Sequence, residues 1–252
     1  MSHVTTIQYL YNSGFSLDLP DCFLVIDYIQ GPLHLPEDKP IFFVVTHAHA
    51  DHYSPKIFTL PGADRAFYVL STDVEENEQV GKFIHLADTK EETARKKIIY
   101  DPKRTLRLAP GDHAFFQNIE WNAFASTDQG ISLLFEVNEV SYFHAGDLNA
   151  WKWPNWPLEA QQKEVDDFLA ILEEVARYPV DVLFAPLDPR LGQNADIGPL
   201  AFLDRLRPQM FVPMHFRDDP AITYRFKLDY QEKTKTFLTA LQGSGQKVLV
   251  RS

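Results

Sequence analysis

The stretch that most constrains this chain is residues 41–52, IFFVVTHAHADH, an apolar run that gives way within one residue to three histidines and a carboxylate. A continuous apolar run of this length reads as a strand buried on both faces. Its end then lies at the carboxyl edge of a sheet, where loops converge and ligands are usually held. His47, His49 and His52 are three of the nine histidines of the chain. Crowded imidazoles repel one another once any is protonated, so something must hold them together. In a His-x-His pair both rings can point to one side, because alternate residues share a face. Asp51 and His52 follow at once and could reach a second point about 3.5–4 Å away, the separation of two-metal hydrolytic sites. Zinc, manganese and iron(II) all accept imidazole and carboxylate. A polar loop with unrelated histidines is the alternative, and four candidate ligands in six positions at a strand end argue against it.

Around this stretch the chain opens as strands: VTTIQYL (4–10), GFSLDL (14–19), CFLVID (22–27) and IFFVVT (41–46). AFYVLS (66–71), KFIHL (82–86) and RTLRLA (104–109) extend the series, with DTKEETARKK between the last two as a short helix or a hairpin tip. HAFFQ, IEWNAFA, ISLLFEV and VSYFHAG then follow as an antiparallel meander. The second half changes character. Residues 158–177 carry apolar side chains at three- and four-residue steps, an amphipathic helix. Next come a buried strand (180–188), a helix (197–207), the strand QMFVPMHF (209–216), a last helix at about 229–242, and KVLV as a closing strand. Strand-rich halves with helices appended predict two sheets face to face with helices outside, in one domain spanning 1–252.

The formal charge of −11 argues against a nucleic-acid or anionic-membrane binder, since neither polyanion would be attracted. A single cysteine, Cys22, excludes an internal disulfide. No signal peptide or spanning helix is visible, which predicts a cytoplasmic protein with no membrane partner.

Two later strand ends repeat the pattern: HAGD at Asp147 and PMH at His215. The ordered trio THAHADH, HAGD and PMH resembles the metallo-β-lactamase-fold hydrolases, most closely the cytoplasmic lactonase-like and ribonuclease Z-like branch. The resemblance covers positions 46–215. It implies an α+β fold, a four-layer αββα sandwich with metals at one edge. It further implies one metal on His47 and His49, another on Asp51, His52 and His215, and Asp147 bridging them. One histidine of the family pattern is missing. The loop that should carry it, FASTDQG (124–130), offers only Asp128 near the expected position at Thr127. Asp128 could substitute, giving an oxygen-rich site that tolerates Mn²⁺ or Fe²⁺ beside Zn²⁺. Otherwise the first metal binds weakly and one remains, or Asp128 is a turn residue. His144 is too close to Asp147 to be a free ligand and reads as a support for it.

LNAWKWPNWP (148–157) places Trp151 and Trp153 just after Asp147, suited to a substrate pocket wall or to a contact in a homo-oligomer; a hydrophobic plug is the plainer reading. PLDPRLG (186–192) brings Asp188 and Arg190 to another strand end. Arg190 would suit a substrate phosphate or carboxylate, and an internal Asp188–Arg190 brace is the equal alternative. The resulting expectation is a hydrolase with one or two divalent ions that activates water on a small ester, lactone, amide or phosphodiester, with Asp51 holding the water or taking its proton. The missing histidine motivates a second expectation, a degenerate metal- and ligand-binding sensor or assembly protein without turnover.

Overall fold

The apolar runs become the strands of two mixed sheets in the computed structural model, which describes residues 4–74 and 97–251. The first sheet is built from β1 (Val4–Tyr11), β2 (Gly14–Asp18), β3 (Phe23–Ile26), β4 (Ile41–Val45), β5 (Phe67–Ser71) and β6 (Thr105–Leu108). The second contains β7 (His113–Phe116), β8 (Ile119–Phe124), β9 (Ser132–Val137), β10 (Val140–His144), β11 (Val182–Pro186), β12 (Met210–Met214) and β13 (Phe237–Leu238). The closing strand β14 (Lys247–Arg251) returns to pair antiparallel with β1, so the spatial orders are β14-β1-β2-β3-β4-β5-β6 and β13-β12-β11-β10-β9-β8-β7. In each sheet one half pairs antiparallel and the other parallel. Together with the helices this is the expected α+β sandwich.

Parallel strands covered on both faces need no polar side, which is why β3 and β4 read as unbroken apolar runs. Leu24, Ile26, Phe42 and Val44 face the second sheet and pack with Trp121, Phe135 and Tyr142. Val25, Phe43 and Val45 face the other way, against Ile57, Phe58 and Ala63 of two short 3-10 turns, Pro55–Phe58 and Ala63–Arg65. Trp121 is fully buried and its ring lies 6.0 Å from that of Phe42, so it ties the sheets together. Truncating it to alanine would cost about 3–5 kcal/mol.

Three helices go with the second half: α1 (Leu158–Val175), α2 (Ile197–Leu206) and α3 (Ala221–Tyr230). In α1 the buried residues Phe168, Leu172 and Val175 recur at three- and four-residue steps, and Phe168 meets Phe202 of α2 edge to face. The last helix differs from expectation, running over Ala221–Tyr230 rather than 229–242. Downstream, Phe237 and Leu238 pair in parallel with β12, and the Thr236 hydroxyl donates to the Pro208 carbonyl. Completing the sheet edge there outweighs the helical spacing of those apolar residues. The candidate strand KFIHL with His85, and the DTKEETARKK stretch up to residue 96, lie outside the described residues. Among the described residues no helix is long and apolar enough to cross a membrane.

Candidate metal centre

The cluster forms where strands of both sheets end on the same side. The loop after β4 supplies His47, His49, Asp51 and His52, the turn after β10 supplies Asp147, and the residue after β12 is His215. Two glycines let these loops meet. A Cβ on Gly130, at φ +75°, would sit 2.2 Å from the Thr46 carbonyl oxygen and 2.4 Å from the His47 Cβ. Gly146, at φ +54°, would meet the Ile131 carbonyl at 2.7 Å. Both positions combine a left-handed backbone with close approach, so only glycine fits. His215 is itself left-handed, at φ +59°, and its N–H donates to the Asn12 carbonyl across the sheets. A non-glycine residue in that region is held by its surroundings, often at functional sites.

The hydrogen bonds set which nitrogen of each buried imidazole is free. Asp27 is fully buried and accepts from the Thr46 N–H at 2.8 Å and the Thr46 hydroxyl at 2.7 Å. Its Oδ2 also lies 2.8 Å from His52 Nδ1. A carboxylate can only accept, so His52 Nδ1 carries the hydrogen. Thr46 spends its own hydrogen on Asp27 and therefore accepts from His47 Nδ1, 3.1 Å away. His215 Nδ1 donates in the same way to Asp188 Oδ2 at 3.0 Å. In the neutral rings this turns all three Nε2 lone pairs inward.

What those lone pairs face is another acceptor. His52 Nε2 lies 3.0 Å from Asp147 Oδ1, His47 Nε2 3.6 Å from Asp147 Oδ2, and His215 Nε2 3.5 Å from both Asp147 Oδ1 and Asp51 Oδ2. These three nitrogens and Asp147 Oδ1 are buried without a hydrogen-bond partner. Lone pairs of buried acceptors confronting one another are unfavourable unless positive charge lies between them, as a proton or a metal ion. The electrostatics follow. Burial pushes the Asp147 carboxyl up, but the facing His52 and His215 imidazoles outweigh it and hold it well below the carboxylate range. Burial pulls His52 and His215 down, and the Asp147 charge with the hydrogen bonds to neighbouring carboxylates more than reverses this. His47 is lowered to about 4 by burial and by the adjacent His52. Donor atoms of His47, His52 and Asp147, of Asp51, His52 and His215, and of His49, Asp128 and Asp147 come within 4.8 Å of one another, three groups able to hold metal.

The third group contains the Asp128 that stands in the loop lacking a histidine. Asp128 Oδ2 lies 3.7 Å from His49 Nδ1, and both side chains are about half exposed (46% and 43%). Burial and the Asp147 charge raise the Asp128 carboxyl above its ordinary value. Thr127 takes another part. Its hydroxyl donates to the Asn149 carbonyl at 2.7 Å and accepts from the Asn149 N–H at 3.0 Å, latching this loop to the one after β10. His144 is fully buried and holds the same turn, its Nδ1 accepting from the Gly146 N–H at 3.2 Å.

Beside the cluster is a pocket of about 480 Å³ lined by His49, Asp51, Asp128, Asp147 and His215 together with Trp151, Trp153, Trp156, Glu164, Arg190 and Arg217. Trp151 is nearly buried, its indole N–H donating to the Asp147 carbonyl at 2.8 Å and its ring meeting His215 edge to face at 5.5 Å. It is therefore both wall and anchor, and Trp153 stacks on it at 5.7 Å. The internal brace forms, with Arg190 Nε donating to Asp188 at 3.0 Å, and Arg190 also lines the pocket. Reading the sequence missed Asp27, Asn12, Glu164 and Arg217. Asp27 had a signal, being the polar end of an apolar strand (CFLVID) just as His47, Asp188 and His215 are; Asn12 had none, since its Nδ2 reaches Asp51 Oδ2, at 3.3 Å, only through the packing of separate loops.

Two seven-stranded mixed sheets with a histidine–carboxylate cluster at one edge make the metallo-β-lactamase fold. Igni18, a novel metallo hydrolase from the hyperthermophilic archaeon Ignicoccus hospitalis KIN4/I, superposes with a TM-score of 0.65 over 98% of each chain at 16% identity. The metallo-β-lactamase fold protein YhfI from Bacillus subtilis matches with a TM-score of 0.58 at 13% identity, over 100% of this chain and 99% of its own. CmlA, a diiron β-hydroxylase from Streptomyces venezuelae, has a TM-score of 0.58 at 12% identity, covering 98% of this chain but 54% of CmlA. No family model matches the chain, and no curated protein matches it by sequence.

Proposed function

We propose that the protein is a metal-dependent hydrolase of small molecules, one metallo-β-lactamase-like domain over residues 1–252. The carrying observation is the set of inward lone pairs: three Nε2 atoms with their Nδ1–H groups tied outward, converging on one buried carboxylate. Imidazoles oriented in this way by carboxylates and hydroxyls behind them are the usual support of metal ligands. In this reading Asp51, His52 and His215 would hold one ion and His47, His49 and Asp128 the other, with Asp147 within reach of both. Each set then offers two imidazoles and two carboxylates, which suits Zn²⁺ and, since oxygen donors favour harder ions, Mn²⁺ or Fe²⁺ as well. A divalent ion held there would supply Lewis acidity toward a carbonyl or phosphoryl oxygen and bring the pKa of a bound water down to about 7.

The chain's own residues do the rest. Asp51 is held below the carboxylate range, first by the facing His215 imidazole, and so stays ionised to orient a water or take its proton. Asn12 and Arg217, each 3.3 Å from Asp51 Oδ2, fix its direction. Trp151 and Trp153 wall the pocket against bulk water. The substrate is a small ester, lactone, amide or phosphodiester, and nucleic acid and membrane are not partners of so acidic a chain. A cytoplasmic setting suits a chain whose one cysteine, Cys22, is buried and needs no oxidising compartment.

The half-exposed His49–Asp128 pair motivates a second reading, a sensor or assembly protein that binds metal and ligand without turnover. Elemental analysis of the purified protein, combined with a screen of generic lactone, thioester and phosphodiester substrates, separates the two. Bound metal with turnover supports the hydrolase, and bound metal with none supports the sensor. Protein that takes up no divalent ion would overturn both.

A further inference from the structure

We propose that Arg190 and Arg217 form an oxyanion subsite at the mouth of the pocket, so that the substrate carries a carboxylate or phosphate separate from the bond that is cleaved. The inference rests on the hydrolytic reading of the same site and narrows it from small hydrolysable molecules to anionic ones.

Arg190 is fixed on an edge and on a face. Its Nε donates to both oxygens of the buried Asp188, at 3.0 Å each, and its Nη2 adds a further bond to Oδ2. The guanidinium carbon lies over the Trp153 ring, 5.2 Å from the centroid. Trp153 is in turn stacked nearly parallel (5°) on Trp151, which is tied to the Asp147 carbonyl. Nη1 has no hydrogen bond to any described residue, and the side chain remains 44% exposed in the pocket. Bracing His215 does not require that exposed arm, because the Arg190 backbone N–H already holds Asp188 at 2.9 Å. A planar guanidinium frozen in this way loses little entropy on binding and matches the two oxygens of a carboxylate or phosphate. Arg217 is the second cation of the pocket, equally exposed, with one nitrogen 3.3 Å from Asp51 Oδ2. The other charged groups of the pocket are the carboxylates of Asp51, Asp128, Asp147 and Glu164. Once the first three are engaged by metal, the guanidinium groups are what remains to receive a charged substrate. With divalent ions bound, the four carboxylates are offset, and two guanidinium groups beside the reaction site then favour anions even in a chain of net charge −11. Trp156, exposed on the same wall, offers a flat apolar face to the rest of the molecule.

The test pairs equilibrium binding with kinetics on zinc-loaded protein. Benzoate, phenylphosphonate and benzamide share one ring and differ in charge, and quenching of tryptophan fluorescence reads their binding. Wild type should bind at least one of the two anions tenfold or more tightly than benzamide, and the tighter one identifies the oxyanion. With zinc in excess so that the site stays loaded, Arg190→Gln and Arg217→Gln should each weaken that anion about tenfold and leave benzamide affinity unchanged. In the kinetic arm, the ratio of kcat/KM for mono(4-nitrophenyl) glutarate to that for the neutral 4-nitrophenyl butyrate should fall about tenfold in each variant, whatever either substitution does to turnover as a whole. Equal affinity of wild type for benzamide and both anions would overturn the subsite, as would variants that keep full anion affinity. Charge-selective binding without hydrolysis of either ester would remove the hydrolase and leave the subsite standing. Hydrolysis of both esters at equal efficiency in all three proteins would do the reverse.

Discussion

The two halves of the cluster use the same residue types and are built very differently. Around His47, His52 and His215 every ring is buried, and each Nδ1 is tied to a hydroxyl or carboxylate that is itself buried or fixed. Around His49 and Asp128 the side chains are half exposed and lie 3.7 Å apart, with the His49 ring edge to face on His47. Asp147 belongs to both halves. The inner half is organised before anything binds, because Asp27 and Asp188 have already paid for the orientation of its rings. The outer half must order two exposed side chains on binding, a cost of about 0.5–1.5 kcal/mol for each rotamer-rich side chain immobilised. With like donors in both halves, the residues behind the ligands are expected to separate their affinities.

Removing an inner ligand is the harshest way to break this contrast. His52→Ala or His215→Ala should take turnover to background and strip the ion that these two would share with Asp51 while the fold persists, since both residues lie beyond the strands that carry the core. Paired rate and elemental measurements check it, and wild-type turnover in either variant would refute the assignment. Next in size is the brace. Asp27→Ala removes the shared acceptor of Thr46 and His52 and leaves them unpaired in the interior, which should cost about 3–5 kcal/mol in denaturant unfolding. It should also lower metal affinity about 10–100-fold in a chelator competition, even though no ligand has changed. An Asp27→Ala protein that matched wild type in both would mean that His52 is held by something else.

The outer half should give milder results. Asp128→Asn is expected to lose one ion and keep the other, with stability within about 0.5 kcal/mol of wild type because the side chain is half exposed. Unchanged stoichiometry would take Asp128 out of the site. The smallest expected effect is a change of preference. Asp128→His should favour Zn²⁺ over Mn²⁺ in competitive titration, by replacing an oxygen donor with an imidazole. The same change at Thr127 would not do this, because the Thr127 hydroxyl latches two loops together at Asn149. If Thr127→His raised zinc affinity and Asp128→His did not, the loop would approach the metal by the other residue.

What the sequence determined by itself was everything that depends on local pattern. IFFVVT had to be a buried strand, HAHADH had to leave its end, and HAGD and PMH repeated that arrangement, so the sandwich and most of the cluster were legible. Asp128 could be named as the only candidate in its loop. Tertiary structure alone decided the rest. Periodicity reports whether a residue is covered, and does not report by what. That Asp27 turns the lone pairs of His52 and, through Thr46, of His47 toward Asp147 depends on the parallel pairing of β3 with β4. Asp188 does the same for His215 because β11 lies beside β12. The Phe237–Leu238 segment carries helical spacing and becomes a strand because the edge of β12 is free to pair with it. Arg190 and Trp153, which are 37 positions apart, meet only when the loops after β10 and β11 fold over the same pocket. A hydrogen bond or a stacked ring is a relation between distant positions, and it exists only once the register of the sheets has set the distance.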